Sequence, residues 1–161
     1  MITTQGPTLT ADDLWSIVDE LWDSMMGRTA VRVDHAFNVD RALTGVVSID
    51  GDWQGHVTFT CPRPAADDVA RALLGLRADE AVSADDVTDA LGEVTNIVGG
   101  HVKSLCAGNN TLGLPQVHAG LATPQAQVCC RTGLEWSGHV ARVGVWRSTT
   151  SVVGSGDGEG R

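Results

Sequence analysis

Between Ala84 and Cys106 the apolar residues Val87, Leu91, Val94, Val98, Val102 and Leu105 return every three or four positions. Projected at about 100° per residue they gather on one side, so the spacing predicts a long helix over 84–106 with that stripe buried. Ser83 with Asp86 three residues on marks its start, and Gly108-Asn109-Asn110 marks its stop. The same period carries Leu14, Ile17, Val18, Leu21, Trp22 and Met25 behind the cap signal Thr10-Ala-Asp-Asp, and predicts a helix over 11–26. A third helix is predicted over 65–76, started by Pro62 and Pro64, with Val69, Leu73, Leu74 and Leu76 facing inward.

Elsewhere the period is two. In TGVVSIDGDWQGHVTFTC, Val47 and Ile49 alternate with polar residues, as do Val57, Phe59 and Cys61, around Asp50-Gly51-Asp52. That is a β-hairpin. A second hairpin is expected from strands over 126–132 and 138–146, turned around Gly133 to Ser137, and a short strand over 31–37. Leu114-Pro115-Gln116-Val117 reads as an extended link after the long helix. The order predicts an α+β fold: a mostly antiparallel sheet built from two hairpins, with helices packed on it.

Composition narrows the function classes. The chain has 161 residues, 42% of them hydrophobic, which suits one domain over 1–150. The Gly-, Ser- and acid-rich residues 151–161 are expected to be a flexible tail. Twenty acids against 11 bases leave a charge of −9 without a Lys/Arg cluster, which argues against nucleic acid as a partner. No apolar run reaches the roughly 18 residues that cross a bilayer, and MITTQGPTLTADD does not read as a signal peptide. A cytoplasmic protein without membrane partners is expected. Cys61, Cys106, Cys129 and Cys130 lack a CxxC spacing and read as small buried hydrophobes, with Cys129 and Cys130 on opposite faces of a strand. The five histidines are isolated, and no metal site is expected.

The chemistry concentrates on the face of the long helix opposite its apolar stripe. Asp89, Glu93, Asn96, Gly100 and Lys103 follow one another there at spacings of four and three. Gly92, Gly99 and Gly100 lie in the same helix, each costing about 1 kcal/mol against alanine. Close packing is an available explanation for Gly92 and Gly99, which lie toward one flank. It does not explain Gly100, which points the same way as Glu93 and Asn96; a missing side chain there lets another molecule come near.

The run Asp89-Ala-Leu-Gly-Glu93-Val-Thr-Asn96-Ile-Val-Gly-Gly100 resembles the signature of the CheC/CheX/FliY family of chemotaxis phosphatases. The likeness extends to ALTGVVSIDGDWQGHVTFTCPRPAADDVARALLG, similar to that family's hairpin and short helix, and to Leu114-Pro115, similar to its following extended segment. CheC-like members carry two copies of the Glu/Asn signature. Here the first helix offers Asp19-Glu20-Leu-Trp-Asp23, with aspartate in place of the asparagine, so the chain looks like CheX, whose relatives often form dimers.

The resemblance implies a phosphatase acting on the aspartyl-phosphate of a CheY-like response regulator. The receiver domain of such a regulator holds the phosphoryl group, a Mg²⁺ and a lysine, so this chain needs no cofactor of its own. Asn96 would position the attacking water, its carboxamide accepting one hydrogen bond and donating another. Glu93 would dock to the receiver lysine, Gly100 would permit close approach, and Asp89 and Lys103 would make rim contacts. A homodimer is implied as well. The alternative is a non-catalytic protein that binds a receiver or a flagellar-switch component.

Overall fold

The computed structural model describes residues 9–34, 41–120 and 126–148. In chain order the elements are α1 (Ala11–Leu21), running into a π turn (Trp22–Met26), then β1 (Val31–Val33), β2 (Ala42–Gly51), β3 (Gly55–Pro62), α2 (Arg63–Leu74) and α3 (Ala84–Leu105). The chain continues with β4 (Asn110–Leu112), β5 (Gln116–Ala119), β6 (Ala126–Trp136) and β7 (His139–Ser148). The strands form one sheet in the order β1-β6-β7-β3-β2-β4, with β5 also on β2, and every pairing is antiparallel.

The period-two residues act as expected. Val47 lies opposite Val57, and Val57 opposite Val145, so one face of the central strands is continuously apolar. Val47, Ile49, Val57, Phe59, Cys61, Val143 and Val145 are all buried in one core with residues of the three helices. The helices are stopped and started by local chemistry. Thr10 and Asp13 form a reciprocal capping box at α1, and the Ser83 hydroxyl accepts from Asp86 N at α3. Gly75 ends α2 at φ 66°, a left-handed conformation that glycine adopts without a Cβ clash. From α3, Val87, Leu91, Val94, Val98 and Val102 are fully buried. Each such burial is worth about 1.5–3 kcal/mol, which outweighs the glycine costs in the same helix.

Some expectations need correction. The second hairpin turns at Ser137-Gly138, both at positive φ; its first strand runs on to Trp136 on the turn side, and its second starts at His139 and runs on to Ser148. Gly133, read as a turn residue, lies mid-strand opposite Val33, where an added Cβ would come within 2.6 Å of the Val33 carbonyl oxygen. Its missing side chain serves strand approach, not turning. In α2 the inward residues are Ala65, Ala66, Val69 and Ala70, because the helix starts two residues earlier and ends at Leu74; Leu74 is half exposed and Leu76 lies beyond the end. Leu105 is exposed as well, being in the final turn of α3. The first helix is α-helical only to Leu21, the rest being the π turn. β1 ends at Val33, and positions 35–37 of the expected strand lie outside the described residues, as does the expected tail over 151–161.

Candidate active site

α3 is seated by small residues on its under side. An added Cβ at Gly45 of β2 would collide with the Thr95 hydroxyl, which donates to Leu91 O at 2.6 Å inside the helix. At Gly99 a Cβ would stand 2.5 Å from Val47 Cγ1, so the helix approaches β2 closely only because that side chain is missing. At Gly92 the nearest atom to such a Cβ is Pro115 Cγ at 3.7 Å, an ordinary contact that an alanine would satisfy. The far end of α3 is tied to the β2–β3 turn. Asp52 accepts from Asn109 N at 2.8 Å and returns its own N–H to Asn109 O at 3.1 Å, while Trp53 N donates to Asn110 Oδ1 at 2.8 Å. These bonds fix where the helix ends relative to the sheet, and hence which way its outer face looks.

On that outer face Asp89 and Glu93 are exposed, whereas Asn96, Gly100 and Lys103 are half-buried. A Cβ at Gly100 would meet nothing within 4 Å, so open space lies above it. Neither Glu93 nor Asn96 is engaged by another side chain among the described residues, and neither has an orphaned buried atom. The carboxylate and the carboxamide are therefore free to bond an incoming molecule, one helical turn apart on a rigid element. The five residues named from the sequence do share one face, as their spacing requires.

The second acid pair is not equivalent. Glu20 and Asp23 are exposed, but Asp23 lies in the π turn, beside the fully buried Trp22. Trp22 stacks on Phe59 at 5.7 Å and meets Trp136 edge-on at 5.0 Å, and the Trp136 indole donates to Asp68 at 2.9 Å.

Burial disfavours the thiolate form of the cysteines. Burial, with a smaller contribution from Asp67, pushes the Cys61 thiol up to about 12. Burial likewise raises Cys130 to about 11, with the neighbouring Cys129, Asp13 and Cys106 adding to it. Cys106 and Cys129 are raised as well, chiefly by burial. The reading of all four as buried needs correction: Cys61 and Cys130 are buried, but Cys129 is exposed at a bulge in β6, where the register with β7 slips, and Cys106 is half-buried. Among the described residues no group of three or more His, Cys, Asp or Glu side chains is arranged to hold a metal ion. No helix among them is long and apolar enough to cross a membrane.

Sequence reasoning named the outer face but missed what holds it. Gly45 under Thr95, and Asp52 bonded to Asn109, are tertiary contacts across 50 or more residues, and nothing local signals them.

The family model described as "Chemotaxis phosphatase CheX" matches residues 43–130, more than half of the chain, and the chain belongs to that family. None of the curated protein sequences compared with it matches. Among solved structures it is similar to CheX of Vibrio vulnificus, with a TM-score of 0.67 and 17% identity over 84% of this chain and 93% of that one. It is similar also to CheX of Desulfovibrio desulfuricans, at 0.64 and 21% over 84% and 96%. A chain of the CheX–CheY–BeF3–Mg²⁺ complex of Borrelia burgdorferi matches at 0.64 and 13% over 84% and 95%. At these identities the likeness is one of fold.

Proposed function

We propose that this protein accelerates hydrolysis of the aspartyl-phosphate on a CheY-like response regulator. The observation that carries the reading is the free pair on α3: Glu93 exposed, Asn96 half-buried, neither engaged by another side chain, with open space over Gly100. Family membership supports it, and so does a similarly folded CheX crystallised with CheY, BeF3 and Mg²⁺.

In the reaction a water attacks phosphorus, the bond from phosphorus to the aspartyl oxygen breaks, and the products are the free carboxylate and inorganic phosphate. The receiver's Mg²⁺ and lysine supply most of the charge stabilisation. What a second protein can add is the position of the water. The Asn96 carboxamide oxygen accepts a hydrogen bond from the water and its NH₂ donates to a phosphoryl oxygen, which holds the nucleophile in line. A carboxylate in that place could only accept, and would repel the phosphoryl group. Glu93, one turn away, pairs with the receiver lysine and fixes the angle at which the helix enters. Gly100 lets the helix lie close, with Asp89 and Lys103 at the rim. The homodimer and the cytoplasmic setting belong to the same reading, and sedimentation of the purified protein tests the dimer.

The test is the decay of phosphorylated receiver domains from the same genome, with Mg²⁺, with and without this protein. Faster decay with wild type is expected, and Asn96→Ala should lower the acceleration by about 10²–10³, the usual effect of removing one transition-state hydrogen-bonding group. Glu93→Ala should chiefly raise the concentration needed. Binding without faster decay would replace this reading with a purely binding one.

A further inference from the structure

The segment between β4 and β5 crosses the molecule beside α3, and its course can be fixed from two contacts. Leu112 Cδ1 comes within 3.2 Å of where a Gly99 Cβ would stand, and Pro115 Cγ within 3.7 Å of where a Gly92 Cβ would stand. Seven helical residues, rising about 1.5 Å each, span about 10 Å, and three extended residues cover the same length. The link therefore runs antiparallel to the helix with little slack. Gly113 and Leu114 pass the turn that carries Thr95 and Asn96, on the flank where Asn96 lies.

Leu114 is 88% exposed, the most exposed of the large apolar side chains that stand in solvent among the described residues. Its backbone is not loose. Gly113 N donates to Ser48 O at 2.8 Å on one side of it, and Pro115, with its fixed φ, leans on α3 on the other. A single exposed leucine is ordinary on a protein surface. A leucine held this far out on a braced link, passing the turn that bears the carboxamide, is placed to be covered when that carboxamide is inserted into a partner.

We infer that Leu114 is an apolar anchor for the receiver domain, seated against a nonpolar patch at the rim of its phosphorylation site while Asn96 and Glu93 enter it. The inference rests on the function proposed above and deepens it. Polar groups on α3 give chemistry and angle, but charged rim contacts contribute little affinity in water. Tight interfaces draw their affinity from a few desolvated apolar or aromatic side chains near their centre. Leu114 supplies such a group next to the reacting position, and its burial there also excludes solvent from around the one positioned water. Leu114 is thus a positioning residue, not a catalytic one.

The experiment measures receiver-phosphate decay against protein concentration for wild type, Leu114→Ala, Leu114→Met and Val31→Ala. Val31 is also exposed, but on β1 at the opposite edge of the sheet. Losing most of a buried leucine side chain should raise the half-saturating concentration about 5- to 30-fold, with the maximal rate within about twofold of wild type. Leu114→Met should restore it and Val31→Ala should leave it unchanged, with unfolding temperatures equal throughout. An unchanged half-saturation in Leu114→Ala, or a loss confined to the maximal rate, overturns the anchor while leaving the phosphatase standing. A wild type that neither binds nor accelerates any receiver overturns both.

Discussion

α1 and α3 contribute to the same core and each carries a glutamate followed three residues later by a second polar group, yet they are built for different ends. α3 stays α-helical for 22 residues, accepts three glycines, and leaves Glu93 and Asn96 unengaged. α1 gives way after 11 residues to a π turn that ends at Gly27, whose N–H donates to Trp22 O. Trp22 stands in the core against Phe59 and Trp136, while Leu21 and Trp22 keep α-helical φ and ψ, so Asp23 still lies one turn on from Glu20, where the α-helix is about to end. One helix end serves as an anchor for an aromatic cluster, and the other helix keeps a free polar edge. The difference teaches that an acid-x-x-polar spacing is not a site by itself: Glu20 and Asp23 are as exposed and unengaged as Glu93 is, but the second group is a carboxylate that can only accept, and the α-helix beneath it is about to end.

The comparison can be broken most severely at the anchor. Trp22→Ala should lower stability by about 3–5 kcal/mol in denaturant unfolding, since it empties a fully buried ring site. If it costs less than 1 kcal/mol, α1 is not the anchor described. A smaller effect separates two adjacent glycines of α3. Gly99→Ala forces a methyl group toward Val47 and should cost about 1–3 kcal/mol, whereas Gly100→Ala has open space and should gain up to about 1 kcal/mol. Gly100→Ala should nonetheless weaken phosphatase action, through a higher half-saturating concentration. Equal stability effects at the two positions would contradict the seating of α3. The smallest effect is at the other acid pair. Asp23→Asn recreates the Glu-x-x-Asn spacing at the end of α1, yet should change stability by less than about 0.5 kcal/mol and add no activity, because the helix stops at Gly27 and lacks the further turns that extend the α3 edge beyond Asn96. A second active site appearing in an Asn96→Ala background would refute that account.

Much of this was legible from periodicity. The stripe Val87, Leu91, Val94, Val98 and Val102 is buried throughout, and Glu93 and Asn96 lie opposite it, because both follow from 3.6 residues per turn. The alternation of Val47, Ile49, Val57, Phe59 and Cys61 located the first hairpin for the same reason. Gly133 was misread because a glycine in a strand and a glycine in a turn look alike until β1 is known to lie against it. Leu74 and Leu105 were placed in the core because a wheel gives direction but not what stands in that direction at the end of a helix.

The sequence alone thus determined the longer elements, though not the π turn, β4 or β5, together with the buried face of the long helix and which residues share its outer face, since these depend on local geometry that repeats along the chain. Tertiary structure decided the rest. The seating of Thr95 over Gly45, the Asp52–Asn109 tie, the packing of Trp22 on Phe59 and Trp136, and the contact of Pro115 with the Gly92 flank of α3 all join segments distant in sequence. Such contacts depend on how finished elements pack against one another, and packing is a property of the whole core that no local pattern encodes.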